Sequence, residues 1–582
     1  MTPPPAPPGP DATEQLAEDL QDLPLDEFYA ESFEALITRT PEAVVWEALE
    51  SEFPLQGVML DNLEDGFQRE TYSMHQVVLD ALHGYDRDAL TADEQLDFDI
   101  YEYFLRDEID RLEFIYHDFR ATFMNFSVQR RTERFFADIH PVDRQQDAED
   151  YIARLQLVDD KFDQLIDHLN RQRDTGIVEP ALTINVALDQ VTAIANGGIE
   201  SNPYYSRFAD KVREIPGLDD ADRADLLERA RAAISSSVTP AYLSLQNQLQ
   251  ELLNNAPPVI GVNQYPRGSA WYAYALRHHS TTDLTPAEVH QLGLDELTRI
   301  HAEMRLIFDT LGYPQNESLE RLYGRAAQDG GVIPAADVKS TYEAIIAEAE
   351  SRLAEAFDIF PAADVIVLPD AAGGFYIAPS FDGQRPGAFY AGTDFAQAYF
   401  SMPSLTYHES VPGHHTQIAI AMEQDVPAFR KIVGFTGFVE GWALYAERLA
   451  HELGWYEGDP YGELGRLQFE ALRAARLVMD TGIHSLGWSF ADAVAFNRDN
   501  VGTSLGSSRA AAARYSVWPG QATAYLIGML EILEQRRRAM EQLGPRFDLK
   551  AFHRAVLSHG AVPLSLLDDV VDRYIEESLA LP

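Results

Sequence analysis

The octapeptide HESVPGHH, His408 to His415, decides how this chain is read. It holds two imidazoles able to bind a metal and a carboxylate within one short segment. A zinc hydrolase built on one helix sets two histidines one turn apart, each nitrogen ~2.1 Å from the ion, with the glutamate after the first histidine as general base. Here His408 and His414 are six positions apart. On a straight helix rising ~1.5 Å per residue they would stand about 9 Å apart along the axis, too far for one ion. Pro412 supplies a remedy, because it has no N–H for the carbonyl four residues back, that of His408, and its ring would clash there. The helix must bulge or break. Gly413 beside it is free to take unusual dihedrals, so a local loop of the kind seen in π-bulges can bring His414 back to His408. The same residues also read as a helix end and a turn with solvated imidazoles.

Downstream, GFVEGWALYAERLAHE (437–452) reads as a helix carrying Glu440 and Glu447. Spaced seven apart, the two carboxylates share one face, and apolar neighbours would leave both partly buried and in need of a partner. Glu440 is the candidate third ligand. Glu447 is the candidate group that orients a ligating histidine, or else a surface acid of the helix.

Further blocks carry a family resemblance: YALRHHSTTDLTPAEVHQLGLDEL (274–297), YIAPSFDGQRPGAFYAGT (376–393), HESVPGHHTQ, GFVEGWALYAERL, ARLVMDTGIHSLGW (475–488), YSVWPGQATAYLIG (515–528) and FHRAVLSHGAVPL (552–564). On these the chain resembles the bacterial domain-of-unknown-function family 885, itself similar to the gluzincin zinc metallopeptidases. The resemblance covers most of the chain beyond the N-terminal tail. It implies a mainly α, two-lobed helical metallopeptidase architecture with a small β-sheet beside the active-site cleft, one zinc ion, and no known substrate. Gluzincins take their third ligand from a second helix antiparallel to the first, and they carry HExGH. The shared Gly-His pair matches Gly413-His414 to the second ligand and leaves His415 as neighbour or alternate. The six-residue gap departs from the gluzincin spacing.

Composition sets outer limits. The 582 residues can bury a large core. A formal charge of −48 would repel a phosphate backbone, which argues against nucleic acid as a partner. The acid excess reads as a solubilising surface, and basic residues are nearly all Arg, the lysines being Lys161, Lys211, Lys339, Lys431 and Lys550. There is no cysteine. Disulfides, thiol catalysis and cysteine zinc sites are therefore excluded, and His/Glu ligation is the good route to a transition metal. The start, MTPPPAPPGPDATEQ, has no basic and apolar signal-peptide regions, and no stretch approaches the ~20 apolar residues of a membrane helix. A soluble, cytoplasmic protein is expected, its oligomeric state open, although relatives of this type are often exported lipoproteins.

Three regions follow along the chain: a Pro-rich leader (1–12), an N-terminal helical lobe (13–260) and a catalytic lobe (261–582) with the HESVPGHH and EGWALYAE helices. The first lobe shows helical periodicity with acid-rich faces over 16–37, 93–116 and 148–172, with breaks at Asn202-Pro203, Pro216-Gly217 and from Asn254. Its aromatic stripes read as core.

The segment 365–393, β-branched and aromatic between Gly and Pro, reads as a short strand pair. The gluzincin resemblance places extended peptide on such an edge strand by backbone pairing, with Tyr376, Arg385 and Tyr390 as contacts; the hairpin reads equally as a plain wall of the cleft. Arg476, Asp480 and His484 recur every four residues, so Asp480 could pair with Arg476 and orient His484, as an ion-pair ladder or to offer Arg476 or His484 to a substrate carboxylate. Tyr515 and Tyr525 flank a Pro-Gly turn. A phenol suits an oxyanion, and Tyr515 is the first choice for that role, with Tyr525 a candidate substrate contact.

The hypothesis that follows is a zinc metallopeptidase cleaving short peptides. Zinc on His408, His414 and Glu440 polarises a carbonyl and activates water, Glu409 takes the proton and returns it to the leaving amine, and Tyr515 and His484 stabilise the oxyanion. The alternatives are a non-catalytic helical protein with a degenerate metal site that binds peptides or a partner, and a zinc hydrolase of a non-peptide amide.

Overall fold

The computed structural model describes residues 12–314, 316–370 and 373–580. The Pro-rich leader lies outside these residues apart from Ala12, which opens the helix Ala12–Asp19. The fold is mainly helical with a small sheet, and the chain divides into two compact units, Met1–Val259 and Ile260–Pro582.

In the first unit the periodic segments are helices, cut where the sequence punctuates them. Pro24 precedes Leu25–Ile37, and Gln156 closes Gln145–Leu155 before Val158–Asp174 begins. Thr91 caps Ala92–Arg111 by a reciprocal arrangement with Glu94, whose carboxylate accepts from the Thr91 N–H at 2.7 Å. The aromatic residues pack inward: Tyr151 stacks on Phe208 at 4.6 Å and lies edge-on to Phe136, and the Tyr204 and Tyr242 hydroxyls meet at 3.0 Å. They are core. Glu42 and Lys161, both buried, form an ion pair within this unit.

Among the described residues, five strands of the second unit make two small sheets. Strands β1 (Val332–Ile333) and β5 (Gln397–Ala398) pair antiparallel. The segment read as a strand pair is instead three-stranded, in the order β2 (Val365–Pro369), β4 (Gly387–Ala391), β3 (Phe375–Ile377). Strand β2 runs parallel to β4, with Val365 opposite Gly387, and β3 runs antiparallel to it, with Phe375 opposite Tyr390. Gly and Pro punctuation divides the segment into three short apolar runs, 365–369, 375–377 and 387–391, and each is a strand. Strand β3 is left as an edge.

Six helices position the site: α1 (Met402–Glu409), α2 (His414–Met422), α3 (Thr436–Glu452), α4 (Pro460–His484), α5 (Leu505–Val517) and α6 (Ala524–Leu543). Asp459 caps α4, accepting from the Gly462 N–H at 2.9 Å, with Pro460 in the first turn. Much of α4 is buried, charged residues included, and α3 supplies counter-charges: Arg448 lies 3.3 Å from Glu470, which also pairs with Arg466. Helices α3 and α6 approach until backbones touch. A methyl at Gly528 would overlap the Gly437 carbonyl oxygen and crowd Gly441, so the pair packs only with glycine at the crossing.

Replacing Gly528 with Ala should therefore push α3 from α6 and lower stability by about 1–3 kcal/mol, read as a lower urea midpoint in circular dichroism.

Candidate metal centre

Helix α1 stops at Glu409. Ser410 leaves the helical region with φ −126° and ψ −106°, the Val411–Pro412 peptide is cis, and helix resumes at His414. The interruption is thus a break rather than a bulge, although one bond of π-type span, His415 N–H to the Ser410 carbonyl at 3.1 Å, closes it. Gly413 sits against the end of α1, where a Cβ would overlap the carbonyl oxygens of Tyr407 and His408. Trp442 of α3 donates its indole N–H to the Pro412 carbonyl at 3.0 Å. The loop is folded onto one helix and braced by another.

This break brings the two imidazoles to 4.8 Å between ring centroids, inclined by 76°. Glu440 Oε2 lies 3.4 Å from Nε2 of His408 and 3.4 Å from Nε2 of His414. The three atoms all lie within 4.8 Å of one another. Donors at ~2.1 Å from a tetrahedral zinc would stand about 3.4 Å apart. Glu440 Oε2 is buried and makes no hydrogen bond among the described residues, as suits an atom meant for a cation. The residues therefore fit a metal ion. The Glu440 side chain is 18% exposed against 3% for His408 and 10% for His414, so the cluster is least covered at Glu440.

Burial opposes the Glu440 charge, but the two imidazoles outweigh it and hold the carboxyl well below its ordinary range. Burial pushes Glu409 up, offset in part by the charges of His408 and His414; its Oε2 lies 4.0 Å from His414 Nε2. Behind the cluster, Glu447 Oε1 is 2.9 Å from His408 Nδ1, close but bent from a linear hydrogen bond. Burial opposes a charge on His408, but Glu440 and Glu447 outweigh it and raise the ring to a pKa of about 9; with a cation on Nε2, the Nδ1 proton would face Glu447. Glu447 is buried, accepts from Ser404 Oγ, and lies 3.4 Å from Arg473 Nη2.

A family model described as "Bacterial protein of unknown function (DUF885)" matches residues 56–571. The chain belongs to this family. Among solved structures, a candidate lipoprotein from Colwellia psychrerythraea is similar to this chain at 27% identity and a TM-score of 0.91, with 97% of this chain and all of that one covered. A candidate lipoprotein of unknown function from Shewanella oneidensis shares the fold at 18% identity and a TM-score of 0.72, over 96% of this chain and 100% of that one. No curated protein matches.

In this DUF885 chain the other sequence candidates fall into two groups. Near the cluster stand Tyr376 on β3, stacked 6.4 Å from His414, and Tyr525 on α6, stacked 6.1 Å from His408. Tyr376 donates its hydroxyl to His415 Nδ1 at 2.9 Å, and His415 Nε2 donates to the Ala363 carbonyl at 3.0 Å. Both His415 nitrogens are used, and burial lowers the ring to a pKa of about 4; His415 stays neutral and ties β3 to α2. Arg476 donates to the Tyr515 hydroxyl at 3.0 Å and lies over Tyr525. Tyr390 stacks on Phe375, and the Arg385 N–H meets Ser380 Oγ.

The second group is committed elsewhere. His484 accepts from the Val262 N–H at 3.2 Å and donates to the Tyr515 carbonyl at 2.8 Å. With both nitrogens bound to main chain it is no oxyanion donor. Asp480 does not join Arg476 to His484: its Oδ1 accepts from the Tyr272 hydroxyl at 2.7 Å and the Gly520 N–H at 3.0 Å. The helical spacing is right, but partners from distant sequence take the side chains. Arg473 is the residue sequence reasoning missed. Its signal is that it is one of two arginines, with Arg476 three residues on, in the otherwise apolar run ALRAARLVM (471–479).

Two outcomes follow. Glu447→Gln should weaken zinc binding about 10–100-fold, measured by competition with a chromogenic chelator. Burial raises Asp480 from 3.8 to about 7, so the folded form holds a proton that the unfolded chain releases near pH 4. That contribution to stability is complete below about pH 4 and is lost as the pH rises through 7. Asp480→Asn retains the acceptor for Tyr272 and Gly520, and urea midpoints should fall less between pH 4 and 7 than in the parent.

Proposed function

We propose that this protein is a zinc-dependent hydrolase, a metallopeptidase of short peptides, in which His408, His414 and Glu440 hold one ion and Glu409 is the general base. One observation carries the reading: Glu440 Oε2 stands 3.4 Å from both imidazole nitrogens, the edge length of a zinc tetrahedron. The donor set, two nitrogens and one carboxylate in a chain without cysteine, suits zinc. When bound, zinc lowers the pKa of its water toward ~7 and polarises a carbonyl.

The remaining steps belong to the chain. Glu409, buried beside His414 with its carboxyl pushed up, takes the proton of the attacking water and passes it to the leaving amine. Glu447, held by Ser404 and Arg473, fixes the His408 tautomer. Tyr525 is the phenol at the cluster that fits oxyanion stabilisation better than Tyr515, because its ring lies against His408 and its hydroxyl accepts from Arg514 and Gln521, leaving its own proton to give. A peptide in extended form would pair along edge strand β3, whose Tyr376 is tied to the residue after His414. The two-lobed gluzincin architecture is part of the same proposal. The lipoprotein description of the Colwellia relative supports an extracytoplasmic setting over the cytoplasmic one suggested by the N-terminal residues.

Purified protein should contain about one zinc per chain, removable by chelator. Glu409→Gln should keep that metal while peptide cleavage falls at least ~100-fold. Undiminished cleavage by the metal-loaded variant would remove Glu409 from the mechanism, and absence of stoichiometric metal would favour a peptide-binding protein.

A further inference from the structure

With 93 acidic against 45 basic residues, counter-charges for buried arginines are plentiful, and the neighbours of Arg476 on α4 have them. Arg466 pairs with Glu463 and Glu470, and Arg473 with Glu447. Arg476 does not. It is 8% exposed, its Nε donates to the Tyr515 hydroxyl, its Nη1 is buried without a hydrogen-bond partner, and no carboxylate of the described residues lies within ion-pair distance. Asp480, one turn on, is turned to Tyr272 and Gly520. Arg514 on α5 is likewise without an acid: its Nη2 donates to Gln521 at 2.7 Å and to the Tyr525 hydroxyl at 3.3 Å, and its Nε has no partner.

Both guanidinium groups converge on one tyrosine. Arg476 Cζ lies 4.4 Å from the Tyr525 ring centroid, and that ring stacks 6.1 Å from His408. The two contacts bound the distance from guanidinium to imidazole at ~10.5 Å, and an extended chain spans ~3.3–3.6 Å per residue. A buried guanidinium without a counter-ion is unfavourable, and its planar fork matches a carboxylate.

We propose that Arg476, supported by Arg514 across Tyr525, binds the C-terminal carboxylate of the substrate, so that the substrate class is short peptides cut one or two residues from a free C-terminus. This rests on the hydrolase reading above. The reaction needs no co-reactant beyond water: its hydroxyl joins the acyl carbon, the C–N bond breaks, and the proton held by Glu409 goes to the released amine.

The test uses the full-length protein and an N-acetylated alanyl tripeptide, as the free acid and as its C-terminal amide. In metal-free protein, calorimetry should find the acid bound about 10–100-fold more tightly than the amide. Arg476→Lys, which keeps the charge and loses the fork, should narrow that ratio with an unchanged circular dichroism spectrum. In zinc-loaded protein the acid should be cleaved one or two residues from its end, with kcat/KM at least ~10-fold above the amide. Equal binding and equal cleavage of acid and amide would overturn the carboxylate site and leave the hydrolase reading intact. This comparison depends on no variant that must fold. Acid-selective binding with no cleavage of either peptide would sustain the carboxylate site and sink the hydrolase reading instead.

Discussion

The arrangement of donors depends on one steric fact: nothing larger than a hydrogen fits on Gly413 where it meets the carbonyl oxygens of Tyr407 and His408. That contact lets the chain turn back on the end of α1, so His414 starts a new helix beside the imidazole it follows by six positions. The Trp442 indole then holds the loop from the other side. Because Trp442 and Glu440 are both on α3, the brace and the third donor move as one body. The glycine crossing of α3 with α6 extends that rigidity to Tyr525.

Around the donors, polar side chains are layered. Glu447, Ser404 and Arg473 form a buried network against the Nδ1 side of His408. His415 and Tyr376 form a second, neutral link that fastens the edge of the small sheet to α2. The first network is electrostatic and the second mechanical. Neither competes with Glu440 for the lone pairs it faces.

Much of this was legible in the sequence where the physics is local. A proline four residues after a histidine removes a helical hydrogen bond wherever it occurs, so the break at Pro412 could be read directly. Its form could not, because the loop is held by Trp442 of α3, which donates to the Pro412 carbonyl from thirty residues away in sequence. The pairing of Glu440 with His408 and His414 was expected from the gluzincin resemblance, while spacing alone offered Glu440 and Glu447 on one helical face. The partners of Asp480 and His484 did not, since they come from Tyr272, Gly520, Val262 and the Tyr515 main chain, distant in sequence. Periodicity says which face a side chain shares and is silent on what packs against that face. Arg473 was passed over for the complementary reason: its meaning lies in Glu447 on another helix.

The interrupted signature also bears on how such centres diversify. When the extra residues between two donors leave the helix axis as a compact detour, the triangle of ligand atoms is preserved while the linear motif lengthens. A motif search keyed to a fixed gap between the histidines would pass over such an arrangement.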